Sequence, residues 1–85
     1  MEWEAKVDFK KDEAEQYREF LRMLTGNGII MLSREEIDDI IDETKREGAA
    51  VVNRIVLHND EERSRFGYSM DAFFKGRPYS IIERN

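Results

Sequence analysis

The sequence has no cysteine, a single proline and no long apolar run. Without cysteine, neither disulfides nor thiolate metal sites hold this 85-residue chain together, so core packing or a partner must do so. The longest apolar runs, Ile29–Leu32 and Ala49–Val52, are too short to cross a bilayer. No basic segment followed by an apolar run marks a secretory signal. We therefore expect one cytoplasmic domain, residues 1–85, without membrane association.

Acids outnumber bases by 19 to 14, and the excess of acids is concentrated in one segment. The net charge is −5, with 39% charged residues. Residues 34–48 carry seven acids against three bases, whereas residues 49–85 carry six bases against five acids. A negative field disfavours non-specific attraction to nucleic acid. Most of that field originates in a single predicted helix.

The first half of the chain shows clear periodicity. Glu2–Phe9 alternates polar and apolar residues, which predicts a strand with one buried face. A helical stripe from Ala14 to Leu24 predicts a helix that ends at the glycine-containing turn 25–28. The apolar run Ile29–Leu32 predicts a short buried strand.

A second helix follows this run. Ser33 and Glu36 have the spacing of a capping box, and Leu32 and Ile37 have that of a hydrophobic staple. Gly48 is a natural end for the helix. The residues that follow, 49–58, fit either a strand or a continuation of the helix. Their β-branched composition after a glycine favours the strand.

The C-terminal third predicts more strands. Phe66, Tyr68 and Met70 alternate with small residues, which indicates a hairpin with the preceding strand, and Tyr79–Glu83 indicates a last strand after a turn at 76–78. The whole pattern predicts an α+β two-layer sandwich, with two helices on one face of a mainly antiparallel sheet of four to five strands. The predicted core comprises Trp3, Val7, Phe9, Tyr17, Leu21, Leu24, Ile37, Ile40, Ile41, Val52 and Ile55.

The second helix carries like charges at a spacing of four residues, which costs the helix roughly a few tenths of a kcal/mol per pair. One interpretation is a surface that docks on a basic partner, as a mimic of nucleic-acid phosphates or as a charge-steered interface. The other is a solvated helix surface, which charge runs usually are. We call these five residues the acidic face: Glu35, Asp38, Asp39, Asp42 and Glu43.

Two adjacent aromatics, Phe73 and Phe74, stand near the predicted turn. Both cannot point into one core layer, so we expect one of them to be exposed as a partner anchor or dimer contact. The surrounding aromatics and bases raise the alternative of a sheet that stacks single-stranded RNA. The other interpretation is that the aromatics are buried and the bases solvated. The residues that would form the RNA surface are Arg63, Arg65, Tyr68 and Tyr79.

Catalytic and metal motifs are weak. His58, the only histidine, has Asp60 or Glu61 as an orienting carboxylate, but no motif pairs it with a nucleophile. Asp38 and Asp42 lack a third ligand type for a metal. We therefore expect no enzyme, no catalytic residue, no metal and no cofactor.

The segment from Ile29–Leu32 through the acidic residues 35–40 resembles the phage uracil-DNA glycosylase inhibitor family, whose members are small acidic DNA mimics. The chain departs from that pattern, because Gly26-Asn27-Gly28 stands where the family has an acid and because Glu2–Phe9 adds a strand. The resemblance implies an inhibitor of a DNA-binding protein.

The leading expectation is a small non-enzymatic regulator or inhibitor, of the phage type, that docks a protein partner with a basic surface. The acidic face would carry the binding, with support from Phe73 or Phe74. The first alternative is a structural homodimer or accessory subunit that uses the C-terminal aromatic corner or the last strand. The second alternative is the RNA-binding sheet.

Overall fold

A computed structural model describes residues 2–47 and 51–84. Three described strands form one antiparallel sheet, in which Glu2–Phe9 lies between Val51–Leu57 and Tyr79–Arg84. The α+β class is confirmed, whereas the predicted four to five strands in a two-layer sandwich exceed the three strands described, and three helices accompany them instead of two. The elements are β1 (Glu2–Phe9), a 3₁₀ turn (Lys11–Glu13), α1 (Ala14–Gly26), α2 (Arg34–Glu47), β2 (Val51–Leu57), α3 (Asp60–Phe73) and β3 (Tyr79–Arg84).

The strand predicted from the alternating pattern of Glu2–Phe9 is confirmed as β1, the central strand of the sheet. Ala5, Val7 and Phe9 are buried, while Glu2 and Asp8 on the other face are exposed. Hydrogen bonding to β2 on one side and β3 on the other places β1 inside the sheet and leaves the two other strands at its edges. The preference for a strand within residues 49–58 is also confirmed, while residues 48–50, including the predicted Gly48 stop, lie outside the described residues.

The predicted hairpin at residues 66–70 is wrong, because this segment is the middle of α3. The Asn59 side chain accepts a hydrogen bond from the Glu62 backbone N–H at 2.8 Å, and the Glu62 carboxylate accepts one from the His58 N–H at 3.0 Å. These bonds cap the helix. Phe66 and Met70 are buried one helical turn apart, while Tyr68 between them is exposed. The sequence pattern of Phe66, Tyr68 and Met70 therefore also fits one buried face of a helix.

The predicted strand Ile29–Leu32 is also wrong. The chain leaves α1 through a Schellman motif, in which the N–H of Gly28 (φ +71°) donates to Thr25 O at 3.1 Å and that of Ile29 to Leu24 O at 2.8 Å. The predicted turn at 25–28 is thereby confirmed. Ile29–Leu32 pairs with no described strand and connects α1 to α2.

The predicted start of α2 is confirmed. The Ser33 N–H donates to Glu36 Oε1 at 2.9 Å, and the Glu36 N–H donates to Ser33 Oγ at 3.0 Å, as a capping box requires. Leu32 and Ile37, the predicted staple, line one cavity beside this cap. The helix therefore begins where local chemistry dictates.

One buried cluster joins all three helices to the apolar face of the sheet. The Phe9 and Tyr17 rings stack at 4.0 Å between centroids, and burial raises the pKa of the Tyr17 hydroxyl well above its usual value. Of the predicted core, Trp3 and Ile40 are only partly buried, and the side chain of Val52 lies outside the described residues. The rest are buried: Val7, Phe9, Tyr17, Leu21, Leu24, Ile37, Ile41 and Ile55.

Arg77 fastens the turn before β3 to the end of β1. The turn itself contains Gly76 at φ +82°, a conformation that favours glycine. The Arg77 guanidinium pairs with both carboxylate oxygens of Glu13, donates to Asp8 O at 3.2 Å and lies 4.8 Å from the Phe9 ring centroid. The Arg77 side chain therefore has a structural role, which the sequence pattern did not reveal.

Candidate functional site

Four of the five residues of the acidic face are exposed: Glu35, Asp39, Asp42 and Glu43. Within residues 2–47 and 51–84 these four form no ion pair. Asp38 differs, because its Oδ1 accepts a hydrogen bond from Arg18 Nη1 at 2.6 Å. The structure thus separates one structural carboxylate from four uncompensated ones.

Charged contacts link α2 to α1. Glu15 contacts both Arg18 at 3.2 Å and Lys45 at 2.7 Å, while Arg18 reaches Asp38. The neighbouring carboxylates raise the pKa of Arg18, and the Lys45 ammonium with Arg18 lowers the pKa of Glu15. Arg18 and Lys45 therefore pair with Glu15 and Asp38 and not with the outer acids of α2.

Of the four uncompensated acids, only Glu35 favours the helix, because it lies in the first turn, near the positive end of the helix dipole. The buried side of the helix carries Ile37, Ile41 and Thr44, and the Thr44 hydroxyl donates to Ile40 O at 2.8 Å. Repulsion between acids four residues apart opposes the helix. Packing supplies the stability of α2, and the acids are left available for another role.

An apolar groove of about 420 Å³ lies directly beside the acidic face. Met31 is 72% exposed there, although its neighbour Ile30 is buried. The sequence does not distinguish Met31 from its neighbours, because all four residues of the run 29–32 are apolar. The exposure of Met31 beside the buried Ile30 is visible only in the structure. The apolar side chains that line this α2 groove are Met31, Leu32, Ile40 and Val56.

Polar side chains form two opposite rims of the α2 groove. Glu36 and Asp39 lie along α2, and Glu2, His58 and Arg84 belong to the sheet side. His58 Nδ1 lies 3.1 Å from Glu2 Oε2, and Arg84 Nη1 lies 3.7 Å from Glu2 Oε1. The groove therefore combines an apolar floor, one acidic rim and one rim of mixed charge.

The partner of His58 differs from the predicted one. The sequence suggested Asp60 or Glu61, but the carboxylate at the imidazole comes from Glu2, at the other end of the chain. Among the described residues, no serine or other nucleophile is hydrogen-bonded to His58. His58 therefore lies on a rim of the α2 groove, with the Glu2 carboxylate beside its Nδ1.

Phe73 and Phe74 divide as expected, with Phe73 61% exposed and Phe74 partly buried. The Phe74 ring lies 5.0 Å from that of Phe20, edge to face. Arg18, which contacts α2, is two residues before Phe20 on α1, a rotation of about 200°. The structure therefore places the aromatic pair and the acidic face on opposite flanks of α1 and does not bring them together.

The predicted RNA surface is not assembled on a sheet face. Arg63, Arg65 and Tyr68 belong to α3, and of the four residues only Tyr79 lies on a described strand. Arg63 lies over the Trp3 ring at 5.4 Å, and Arg65 pairs with Glu61 at 2.5 Å. These bases already have partners within the protein.

In residues 2–47 and 51–84, no group of three or more histidine and acidic side chains has an arrangement that could hold a metal ion. In the same residues, no helix has the length and apolar character needed to cross a membrane.

The resemblance to the glycosylase inhibitor family rested partly on a strand before α2. Ile29–Leu32 is a connecting segment, so that part of the pattern is absent. No family model matches the chain, and no curated protein or solved structure matches it either.

Proposed function

We propose that this protein is a cytoplasmic, non-enzymatic binding module, a regulator or inhibitor that docks a basic, partly apolar segment of a protein partner. The observation that carries the proposal is the α2 groove, whose exposed apolar floor adjoins acids that no described base neutralises. An apolar centre with a charged rim is the usual composition of a protein interface.

The two parts of the surface have different physical roles. Burial of Met31 and Ile40 would supply affinity, in proportion to the apolar area removed from water. The four outer acids would attract a basic segment and orient it along α2, which increases the association rate more than the final affinity. A DNA-binding partner would present such a basic surface, and the acidic face would then compete with DNA phosphates.

The acids are tested by capture from a cell lysate on immobilised protein, at low and high salt. In the test variant Glu35→Gln, Asp39→Asn, Asp42→Asn and Glu43→Gln are combined, while Asp38 is kept because it holds Arg18. We expect apparent affinity for the captured partner to fall at least about tenfold, with a smaller salt dependence, since four attractive charges are lost.

A matched control changes the net charge equally at exposed acids outside α2, by Asp8→Asn, Asp12→Asn, Glu19→Gln and Glu83→Gln. This variant should retain binding. A separate Met31→Ser variant should weaken binding without changing its salt dependence. Equal losses in the two charge variants would show that only net charge matters and would refute the proposed surface.

A homodimer through β3 is the second candidate, because β3 is an edge of the sheet and Ile82 on it is 50% exposed. Edge strands readily pair with a second chain. Sedimentation at high concentration should then show a dimer that Ile82→Lys dissociates. A monomer throughout would exclude this candidate.

A further inference from the structure

A cavity of about 450 Å³ lies between α1 and the start of α2, on the side of α2 that faces away from the groove. Arg18, Arg22 and Arg34 line it together with Leu32 and Ile37. We propose that this arginine cavity binds a small organic anion, whose carboxylate or phosphoryl group contacts the guanidinium groups and whose apolar body contacts Leu32 and Ile37.

The positive charge of the arginine cavity is largely uncompensated. Arg22 and Arg34 are exposed and form no ion pair with any residue in 2–47 or 51–84. Arg18 uses Nε for Glu15 and Nη1 for Asp38, and its Nη2 donates to no described residue. Three arginines therefore line one cavity, and the only acids paired with them among the described residues are Glu15 and Asp38, both at Arg18.

Folding accounts for Arg18, which bonds Glu15 and Asp38, but not for Arg22 or Arg34. Ser33 and Glu36 already cap α2 by their reciprocal hydrogen bonds. Arg34 stands in the first turn, where a cation is unfavourable because the helix dipole is positive at that end. A bound anion would remove that cost, and arginine is the side chain best suited to bind carboxylate or phosphate through paired N–H groups.

The size and lining of the cavity indicate a small molecule. Its volume lies within the usual range for such sites, roughly 300–1,000 Å³, which combine an apolar wall with a few polar groups. Leu32 and Ile37 provide the apolar wall. An inorganic ion would leave that wall unused, so we expect an anion with an apolar body to bind more tightly than phosphate alone.

Titrations followed by ¹H–¹⁵N chemical shifts test this inference with phenyl phosphate, benzoate, inorganic phosphate and benzylamine. We expect saturable shifts around Arg22, Gly26 and Ile37 with phenyl phosphate or benzoate, at a dissociation constant of about a millimolar or tighter. The tighter of the two identifies the preferred anionic group. Inorganic phosphate should bind at least about fivefold more weakly, and benzylamine should cause no saturable shift.

The variant Arg22→Gln/Arg34→Gln should raise the dissociation constant at least about tenfold. The control Lys11→Gln/Lys75→Gln changes the net charge equally at two exposed lysines outside the cavity and should leave it unchanged. Absence of saturable shifts, or equal losses in the two variants, would overturn the inference. Neither result bears on the α2 groove, whose lining includes none of these arginines.

Discussion

Replacement of Phe66 by alanine is expected to lower the free energy of unfolding by about 3–5 kcal/mol, a large part of the stability of so small a domain. Phe66 is 0% exposed, and its ring lies 6.3 Å from that of Phe20 and 6.4 Å from that of Tyr79. The alanine variant is less stable because buried apolar area is lost and a cavity is left behind. Chemical denaturation monitored by circular dichroism measures the change.

Tyr68→Ala is the matched comparison, since Tyr68 is two residues away and 77% exposed. We expect a change within about 0.5 kcal/mol. Phe66→Leu, at about 1 kcal/mol, keeps the effect measurable if the alanine variant does not fold. On a strand, residues two positions apart lie on the same face. Similar losses of unfolding free energy for Phe66→Ala and Tyr68→Ala would therefore contradict the helical assignment of this segment.

Glu13→Gln is expected to lower the free energy of unfolding by about 2 kcal/mol at neutral pH. The Glu13 carboxylate accepts from the Lys10 N–H at 3.0 Å and pairs with both terminal nitrogens of Arg77, and the side chains of this ion pair are each 22% exposed. A partly buried pair with paired hydrogen bonds contributes more than a typical surface pair. Urea denaturation of the variant and the wild type measures the difference.

The effect of Glu13→Gln should depend on pH in a defined direction. The hydrogen bond from Arg77, and then that from the Lys10 N–H, lower the pKa of Glu13 below its ordinary value of 4.5. A carboxylate with a depressed pKa stabilises the fold above its unfolded-state pKa, and this contribution is lost as pH falls through the folded-state value. The difference between wild type and variant should therefore be largest at neutral pH and shrink below about pH 4.5.

Two comparisons isolate this contact. Glu19→Gln removes an exposed glutamate that forms no ion pair within the described residues, and it should not change stability at any pH in this range. A double-mutant cycle with Arg77→Met should give a coupling of about 1–2 kcal/mol. A coupling near zero, or a pH-independent Glu13→Gln effect, would show that this contact does not stabilise the protein.

The sequence by itself determined the elements whose signals are local. Polar and apolar residues alternate strictly in Glu2–Phe9, and this two-residue period fits a strand but not a helix, so it indicated β1 without ambiguity. The capping box of Ser33 and Glu36 marked the start of α2, because the side chain of each residue accepts a hydrogen bond from the backbone N–H of the other, within four residues of the chain. Helical periodicity also indicated that the acids of α2 lie outside its apolar stripe, but the contact of Asp38 with Arg18 of α1 was visible only in the structure.

Tertiary structure decided what depends on distant partners. The alternation of Phe66, Tyr68 and Met70 fits a strand and also fits a helix with Phe66 and Met70 one turn apart; the Asn59–Glu62 cap and burial against the core select the helix. Only folding brings Glu2 to His58 and Arg77 to Glu13. The α2 groove and the arginine cavity likewise combine side chains from separate elements, and no local pattern encodes contacts made across such distances in the chain.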